Sequence, residues 1–209
     1  MTTDSYRRVA RFYDKLFEPL NHGLRLVGAR MLPPAKGMRI LDVGCGTGIH
    51  LDVYRKSSCD LYGLDSSPSM LEVANTRLGE EAELKLGDAT KMPYENNTFD
   101  LVLCMLVLHE MDQSTRVGVI AEIKRTLKTG GRILLIDYHP GHARPIKGWI
   151  TKQVIFLSEV AAGLTHFRNY RHFVSINELP TLIKENQLSI EQKKIVAGGN
   201  LALYLVQVA

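Results

Sequence analysis

From Met38 onward, short apolar runs alternate with stretches whose apolar residues recur every three or four positions. Residues 38–43 (MRILDV) predict a strand that ends in glycines, and residues 47 to about 56 predict a helix. A second strand is expected over 60–65. Ser67 and Pro68 then open a helix, a capping serine followed by proline at the first helical position, running to about Leu78. Residues 82–86 predict a third strand. Residues 98–104 predict a fourth, nearly continuous in apolar residues, as a strand buried on both faces requires. Over 113–127, Val117, Ile120, Ile123 and Leu127 fall at three- and four-residue steps, the period of a helix with one buried face. Gly130 and Gly131 stop it, and residues 132–138 predict a fifth strand.

Strands alternating with helices imply an α/β fold, a parallel sheet covered on both faces. Right-handed crossovers make it doubly wound. After Tyr138 the rhythm breaks. Pro140, Gly141, Pro145 and Gly148 mark loops, and residues 149–164 predict a helix. Residues 189–196 and 200–208, joined across Gly198 and Gly199, predict a hairpin that adds an antiparallel strand at one edge. Residues 1–34 form a helical segment before the repeat, ended by Pro33 and Pro34.

Composition changes this picture little. At 209 residues with 45% apolar and 23% charged residues, the chain has enough material for a full core. The longest apolar run, residues 101–108, is too short to span a bilayer. The N-terminus has no apolar signal region. Three cysteines without a close pair argue against a disulfide framework or a zinc knuckle, so a cytoplasmic setting is expected. The net charge of +4 is uneven: residues 1–37 carry seven Lys/Arg against three acids, and residues 139–172 five against Glu159 alone. These basic segments are either solvated helix faces or surfaces that steer an anionic substrate or touch an anionic lipid layer.

Candidate chemistry gathers at the predicted carboxyl ends of strands, where an open parallel sheet binds ligands. Residues 41–48, LDVGCGTG, place three alternating glycines between a strand and a helix. Glycine permits the tight turn and lets a ligand lie against backbone, and the helix start offers free N–H donors. Asp65 ends the second strand, where a carboxylate accepts both hydroxyls of a ribose; the alternative role, capping the next helix, is already filled by Ser66 or Ser67. Asp88 and Ala89 end the third strand, an acid for an exocyclic amine beside room for a flat ring. Such a set suits a nicotinamide dinucleotide or an adenosyl cofactor. The dinucleotide spacing would put its third glycine at Ile49, whereas here it stands at Gly48, and no second nucleotide-binding half is visible.

LDVGCGTG at 41–48 resembles the first motif of the class I S-adenosylmethionine-dependent methyltransferases. YGLDSSPSML at 62–71, GDATKMPYENNTFDLVLCMLVLHEM at 87–111 and LKTGGRILLIDY at 127–138 resemble the later motifs in order, in the manner of the ubiquinone/menaquinone-type C-methyltransferases. The resemblance spans about residues 6–138, and GGNLALYLV near the end is similar too. It implies a mostly parallel seven-stranded sheet of order 3-2-1-4-5-7-6 with strand 7 antiparallel and helices on both faces. It implies S-adenosyl-L-methionine as cofactor, with Gly44, Cys45 and Gly46 against the methionine moiety, Asp65 on the ribose, Ser66 and Met70 flanking ribose and adenine, and Asp88 and Ala89 on adenine. Cys104 would lie near the methionine moiety. Tyr13 would close over the cofactor, though an aromatic on an amphipathic helix more often belongs to the core. The chain is then one domain: residues 1–34 a helical lid, 35–138 the cofactor-binding core, 139–186 an acceptor-side helical insertion and 187–209 a C-terminal β-hairpin.

A sulfonium makes its methyl group electrophilic, so the protein must align an acceptor and exclude water, with a base only where the acceptor arrives protonated. His109, Tyr138 and His139, after strands 4 and 5, are the candidate bases, and for His109 a packing role is equally expected. The histidines at 139, 142, 166 and 172 lack helical ligand spacing and nearby cysteines, so no metal is expected. The apolar helix at 149–164 roofs an acceptor pocket, docks at a membrane interface with Lys147 and Lys152, or packs on the sheet edge. The expected acceptor is a small hydrophobic molecule: a quinone, phenol, lipid headgroup or metabolite. Residues 139–186 match the quinone-type pattern poorly. A nicotinamide oxidoreductase and a non-catalytic cofactor-binding partner subunit remain as alternatives. No nucleic-acid partner is expected, because no Asn-Pro-Pro-Tyr type motif follows strand 4 and the basic patches are small. Peripheral membrane contact stays open, and oligomeric state is not legible.

Overall fold

The computed structural model describes residues 4, 6–7, 9–140 and 146–208. Its sheet starts in the middle. β1 (Arg39–Val43) pairs with β2 (Asp60–Asp65), and β2 with β3 (Ala82–Leu86), all parallel. The chain then returns to the other side of β1 with β4 (Phe99–Met105), followed by β5 (Leu127–Tyr138), also parallel. β6 (Leu188–Val196) and β7 (Leu201–Val208) form the hairpin, with β7 antiparallel to β5. The order is β3-β2-β1-β4-β5-β7-β6, the order the resemblance implied. Winding outward both ways from β1 splays the loops after β1 and β4 apart, which opens a crevice there.

The helices are α1 (Ala10–Met31), α2 (Ile49–Asp52), α3 (Pro68–Leu78), α4 (Gln113–Thr126), α5 (Ile146–Ala161), α6 (Leu164–Ser175) and α7 (Glu178–Glu185). Strand periodicity divides the core into two layers. Leu41, Val43, Val102, Ile133 and Leu135 face Ile120, Ile123, Phe173 and Leu182. Ile40, Leu101, Leu103, Leu134 and Ile136 face Leu24, Met31, Leu51 and Tyr54. At α3, Ser67 caps as expected: its Oγ accepts from the Met70 N–H at 3.2 Å.

Three expectations needed correction. The helix expected over 47–56 shrinks to α2 and a 3-10 turn at Arg55–Ser57, because Gly48 is still in the left-handed region and delays the start. β5 begins at Leu127 rather than 132; the Gly130–Gly131 pair is absorbed as a bulge opposite Phe99–Leu101 and does not end the pairing. The predicted helix at 149–164 begins earlier and ends before Gly163, and α6 and α7 complete the insertion. α6 is tied down by Arg116, fully buried in α4. Its Nε donates to the Leu108 carbonyl at 2.9 Å, its Nη2 to the Asn169 carbonyl at 3.0 Å, and the guanidinium lies 4.9 Å from the Phe173 ring centroid.

One face of α5 has no cover among the described residues. Trp149 is 60% exposed, and Ile150, Val154 and Leu157 stand beside it, with Leu164 at 84% just beyond. Arg144, His142 and the Lys147 side chain lie outside the described residues. Among those described, no helix is long and apolar enough to cross a membrane.

Candidate active site

The crevice beyond the ends of β1, β2, β3 and β4 has a volume of about 680 Å³, within the range typical of small-molecule sites. Its first wall is the glycine loop. Gly44 has φ +72°, and a Cβ there would come 2.5 Å from Val107 Cγ2, so only glycine fits. The Gly44 and Cys45 N–H groups donate to the Leu64 carbonyl at 2.8 and 3.1 Å, stitching the loops after β1 and β2 together.

Asp65 stands between these loops. Its Oδ2 accepts from the Gly46 N–H and its Oδ1 from the Ser67 N–H, both at 2.8 Å. Burial pushes its carboxyl upward against these hydrogen bonds. Each carboxylate oxygen can accept more than one hydrogen bond, so both retain capacity toward a diol. Ser66, Met70, Asp88 and Ala89 complete this end of the crevice, with Asp88 Oδ1 fixed by the Thr90 N–H and hydroxyl, both at 2.8 Å. The structure therefore brings Gly44, Cys45, Gly46, Asp65, Ser66, Met70, Asp88 and Ala89 to one cavity, which Tyr13 also lines.

The floor holds three groups that sequence reasoning missed: Asp42, His50 and Arg25. All are buried, Asp42 to 2% exposure. Arg25 pairs with Glu18, yet its Nε and both ring nitrogens of His50 have no hydrogen-bond partner. Burial, only partly offset by Arg25, pushes Asp42 up to about 8. Burial and then Arg25 push His50 down to about 3. Near neutral pH both are uncharged, leaving unspent polar groups aimed into a cavity. An amino-acid zwitterion satisfies them: its ammonium suits Asp42 and its carboxylate suits Arg25. Together with the diol acceptor at Asp65, these residues fit S-adenosylmethionine. Asp42 was legible, since it lies inside the quoted glycine motif; Arg25 and His50 sit on helices with no local signal.

Tyr6, Tyr13, Met105, Val107, Glu110 and Met111 line the same crevice, Val107 packing against the glycine loop. The Tyr6 hydroxyl donates to Glu110 Oε1 at 2.8 Å, and the Tyr6 and Tyr13 rings meet edge-on at 6.0 Å. Burial pushes the Glu110 carboxyl upward. The Thr47 hydroxyl donates to Asp14 at 2.7 Å and Asp14 pairs with Arg77, so α1 is latched over the crevice to the glycine loop and α3.

Four predicted residues do not line this cavity. Cys104 points into the core of β4, 1% exposed, because the strand's alternation turns it away from the loop side. His109 is drawn inward: its Nδ1 lies 2.8 Å from Asp137 Oδ1, and its N–H donates to Asp137 Oδ2 at 3.2 Å. Tyr138 packs on the His109 ring at 4.5 Å and donates to Glu159 Oε1 at 2.8 Å. His139 faces the 197–200 turn, its N–H donating to the Asn200 carbonyl at 2.8 Å. Glu110, next to His109 in sequence, is the acid that faces the crevice instead.

A methyltransferase-domain family matches residues 41–135. An uncharacterized methyltransferase of Synechocystis sp. is 30% identical over 166 residues, 79% of this chain and 73% of that protein. A demethylmenaquinone methyltransferase of Thermotoga maritima is 25% identical over 88% of this chain and 86% of its own length. A phosphatidylethanolamine N-methyltransferase of Cereibacter sphaeroides is 26% identical over 96% of this chain and 94% of its own. Among solved structures, an S-adenosylmethionine-dependent methyltransferase from Aquifex aeolicus superposes with a TM-score of 0.70 at 18% identity, over 96% of this chain and 98% of that one. The sheet order, the glycine loop joined to Asp65 and these relatives agree: this chain belongs to the class I S-adenosylmethionine-dependent methyltransferases, in the broad subgroup resembling the ubiquinone/menaquinone-type C-methyltransferases.

Proposed function

We propose that the enzyme methylates a small hydrophobic acceptor carrying an ionisable hydroxyl, of the quinol or phenol class, delivered from a membrane surface. The observation that carries this reading is the mixed lining of the crevice: beside the glycine loop and Asp65 it holds aromatic and thioether side chains, Tyr6, Tyr13, Met105 and Met111, and a further carboxylate, Glu110. The bound cofactor supplies a methyl group activated by its sulfonium. The protein's part is to hold the acceptor in line, keep water out beneath α1 and remove a proton. Glu110, its carboxyl raised by burial, takes the acceptor's hydroxyl proton on Oε2, while the Tyr6 hydroxyl holds Oε1. Met105, Val107 and Met111 supply an adaptable apolar surface for the ring.

A second reading rests on Tyr6 and Tyr13. Two aromatic rings beside a carboxylate also suit a lipid amine headgroup, through cation–π attraction and charge pairing. In both readings the bare apolar face of α5, near the exposed Lys152, Arg168 and Arg171, rests on an anionic bilayer from which the acceptor enters. Three free cysteines support a cytoplasmic setting.

Calorimetry with S-adenosylhomocysteine and with NADH, followed by radiolabelled methyl transfer to demethylmenaquinol and to phosphatidylethanolamine vesicles, tests this. Binding of S-adenosylhomocysteine but not NADH, with transfer to the quinol that Glu110→Gln abolishes while S-adenosylhomocysteine binding is retained, is the expected result. Transfer only to the amine lipid favours the second reading. Tight cofactor binding with no transfer to either acceptor refutes both.

A further inference from the structure

The geometry points to a second site, formed by residues that do not line the crevice: His109, Glu159 and His166 bind one first-row transition dication of the Zn²⁺ class. The three come from separate elements, the 3-10 turn Leu108–Glu110 after β4, α5 and α6. Their ligand atoms all lie within 4.8 Å of one another. His109 Nε2 is 3.6 Å from Glu159 Oε1, and His166 Nε2 is 2.9 Å from Glu159 Oε2.

The first of those distances decides between two accounts. At 3.6 Å it is too long for a hydrogen bond. Yet two ligands at about 2.1 Å from a tetrahedral ion stand roughly 3.4 Å apart. An ion between His109 and Glu159 fits the existing gap, and His166 need retreat only about half an ångström from its contact with Glu159 to complete the set. The surroundings agree. Asp137 accepts from His109 Nδ1, which fixes the tautomer and turns the Nε2 lone pair toward Glu159, the carboxylate–histidine arrangement that orients metal ligands. The Tyr138 hydroxyl orients Glu159 Oε1 in the same way. Asp137 and Glu159 are 1% and 4% exposed, and no Lys or Arg is paired with either among the described residues. A buried carboxylate pair needs positive charge. His166, partly exposed, leaves an entry path and an open fourth position for water. The ion would clamp α5 and α6, the bare-faced insertion, onto the sheet end beside the crevice.

The test uses the intact chain stripped with chelator. Zn²⁺ is titrated by calorimetry, Co²⁺ by visible absorption, and S-adenosylhomocysteine binding reports that each variant is folded. The expected result is one Zn²⁺ per chain, d–d bands with Co²⁺, and a raised Tm on Zn²⁺ addition. Glu159→Gln and His166→Ala each weaken Zn²⁺ by about tenfold or more, and Asp137→Asn by about 10- to 100-fold, with nucleoside binding retained. A folded wild-type chain that takes up no stoichiometric Zn²⁺ overturns the proposal, since the charge is then balanced by imidazolium alone. Undiminished binding in the Glu159→Gln/His166→Ala double variant overturns it as well, by locating the ion elsewhere.

Discussion

Replacing Asp42 by Asn separates what the crevice floor costs the empty protein from what it gives the loaded one. Asp42 is buried, and its carboxyl is pushed up to about 8 from an unfolded value of 3.8. The folded state therefore holds a proton that the unfolded state has already released over that interval. Stability is highest below the unfolded value and is lost as pH rises toward the folded one. Between pH 6.5 and 8 this single group removes about 2 kcal/mol, at 1.36 kcal/mol per unit. The amide introduced by Asp42→Asn cannot ionise, and it occupies nearly the same volume as the carboxyl. The variant's advantage over the wild type should therefore grow by about 2 kcal/mol between pH 6.5 and pH 8, some 4–8 °C in Tm for a chain of this size. His109, held up to about 9 by Asp137 against the opposing pull of burial, loses stability over the same pH range, but it does so in both proteins and cancels in the difference. Urea titrations of cofactor-free wild type and Asp42→Asn at the two pH values measure it. Parallel loss of stability in the two proteins would refute the assignment of a buried, protonated Asp42. The same variant should bind S-adenosylhomocysteine about tenfold or more weakly, because an amide cannot ionise to pair with the ligand's ammonium as Asp42 can.

Other changes probe the rest of the crevice and its supports. Gly44→Ala must place a Cβ 2.5 Å from Val107 Cγ2 at φ +72°; about 1–2 kcal/mol of backbone strain adds to that clash, and calorimetry should show loss of cofactor binding beyond the fall in Tm. Arg116→Ala removes the buried guanidinium that bridges the Leu108 and Asn169 carbonyls and lies over the Phe173 ring, so urea denaturation should show a loss of about 3 kcal/mol or more; little change would mean that α6 docks by its apolar residues alone. Trp149→Glu with Leu157→Glu on the exposed face of α5 should abolish sedimentation with anionic vesicles and leave S-adenosylhomocysteine affinity unchanged; equal sedimentation would place the membrane contact elsewhere. Leu103→Ala, at a fully buried position of β4, should cost about 2–5 kcal/mol by denaturant titration.

The central parallel sheet was legible because it is dictated locally. Strands such as residues 99–105 must be apolar along both faces, and glycine at the strand end is demanded by backbone geometry at the same point where the ligand sits. Asp65 and Asp88 could be read for the same reason, since topology places every strand end at one edge. The insertion resisted reading. α6 and α7 owe their places to partners distant in sequence: Arg116 reaches the Asn169 carbonyl, and Phe173 and Leu182 complete the core beside Ile120 and Ile123. Cys104 and His109 were expected at the site from their nearness to a strand end, but strand alternation turns one into the core and Asp137 draws the other inward.

The sequence by itself determined the order of elements, the adenosyl-binding edge and the chemistry of the cofactor, because each follows from periodicity and from glycines and acids at fixed chain positions. Only the tertiary structure decided the rest. It gathered Arg25, Asp42 and His50 into one cavity, turned Glu110 rather than His109 toward the crevice, and brought His109, Glu159 and His166 together although no helical spacing links them. Those juxtapositions depend on how three packed layers meet, and the burial that shifts their charges arises only once the layers have closed.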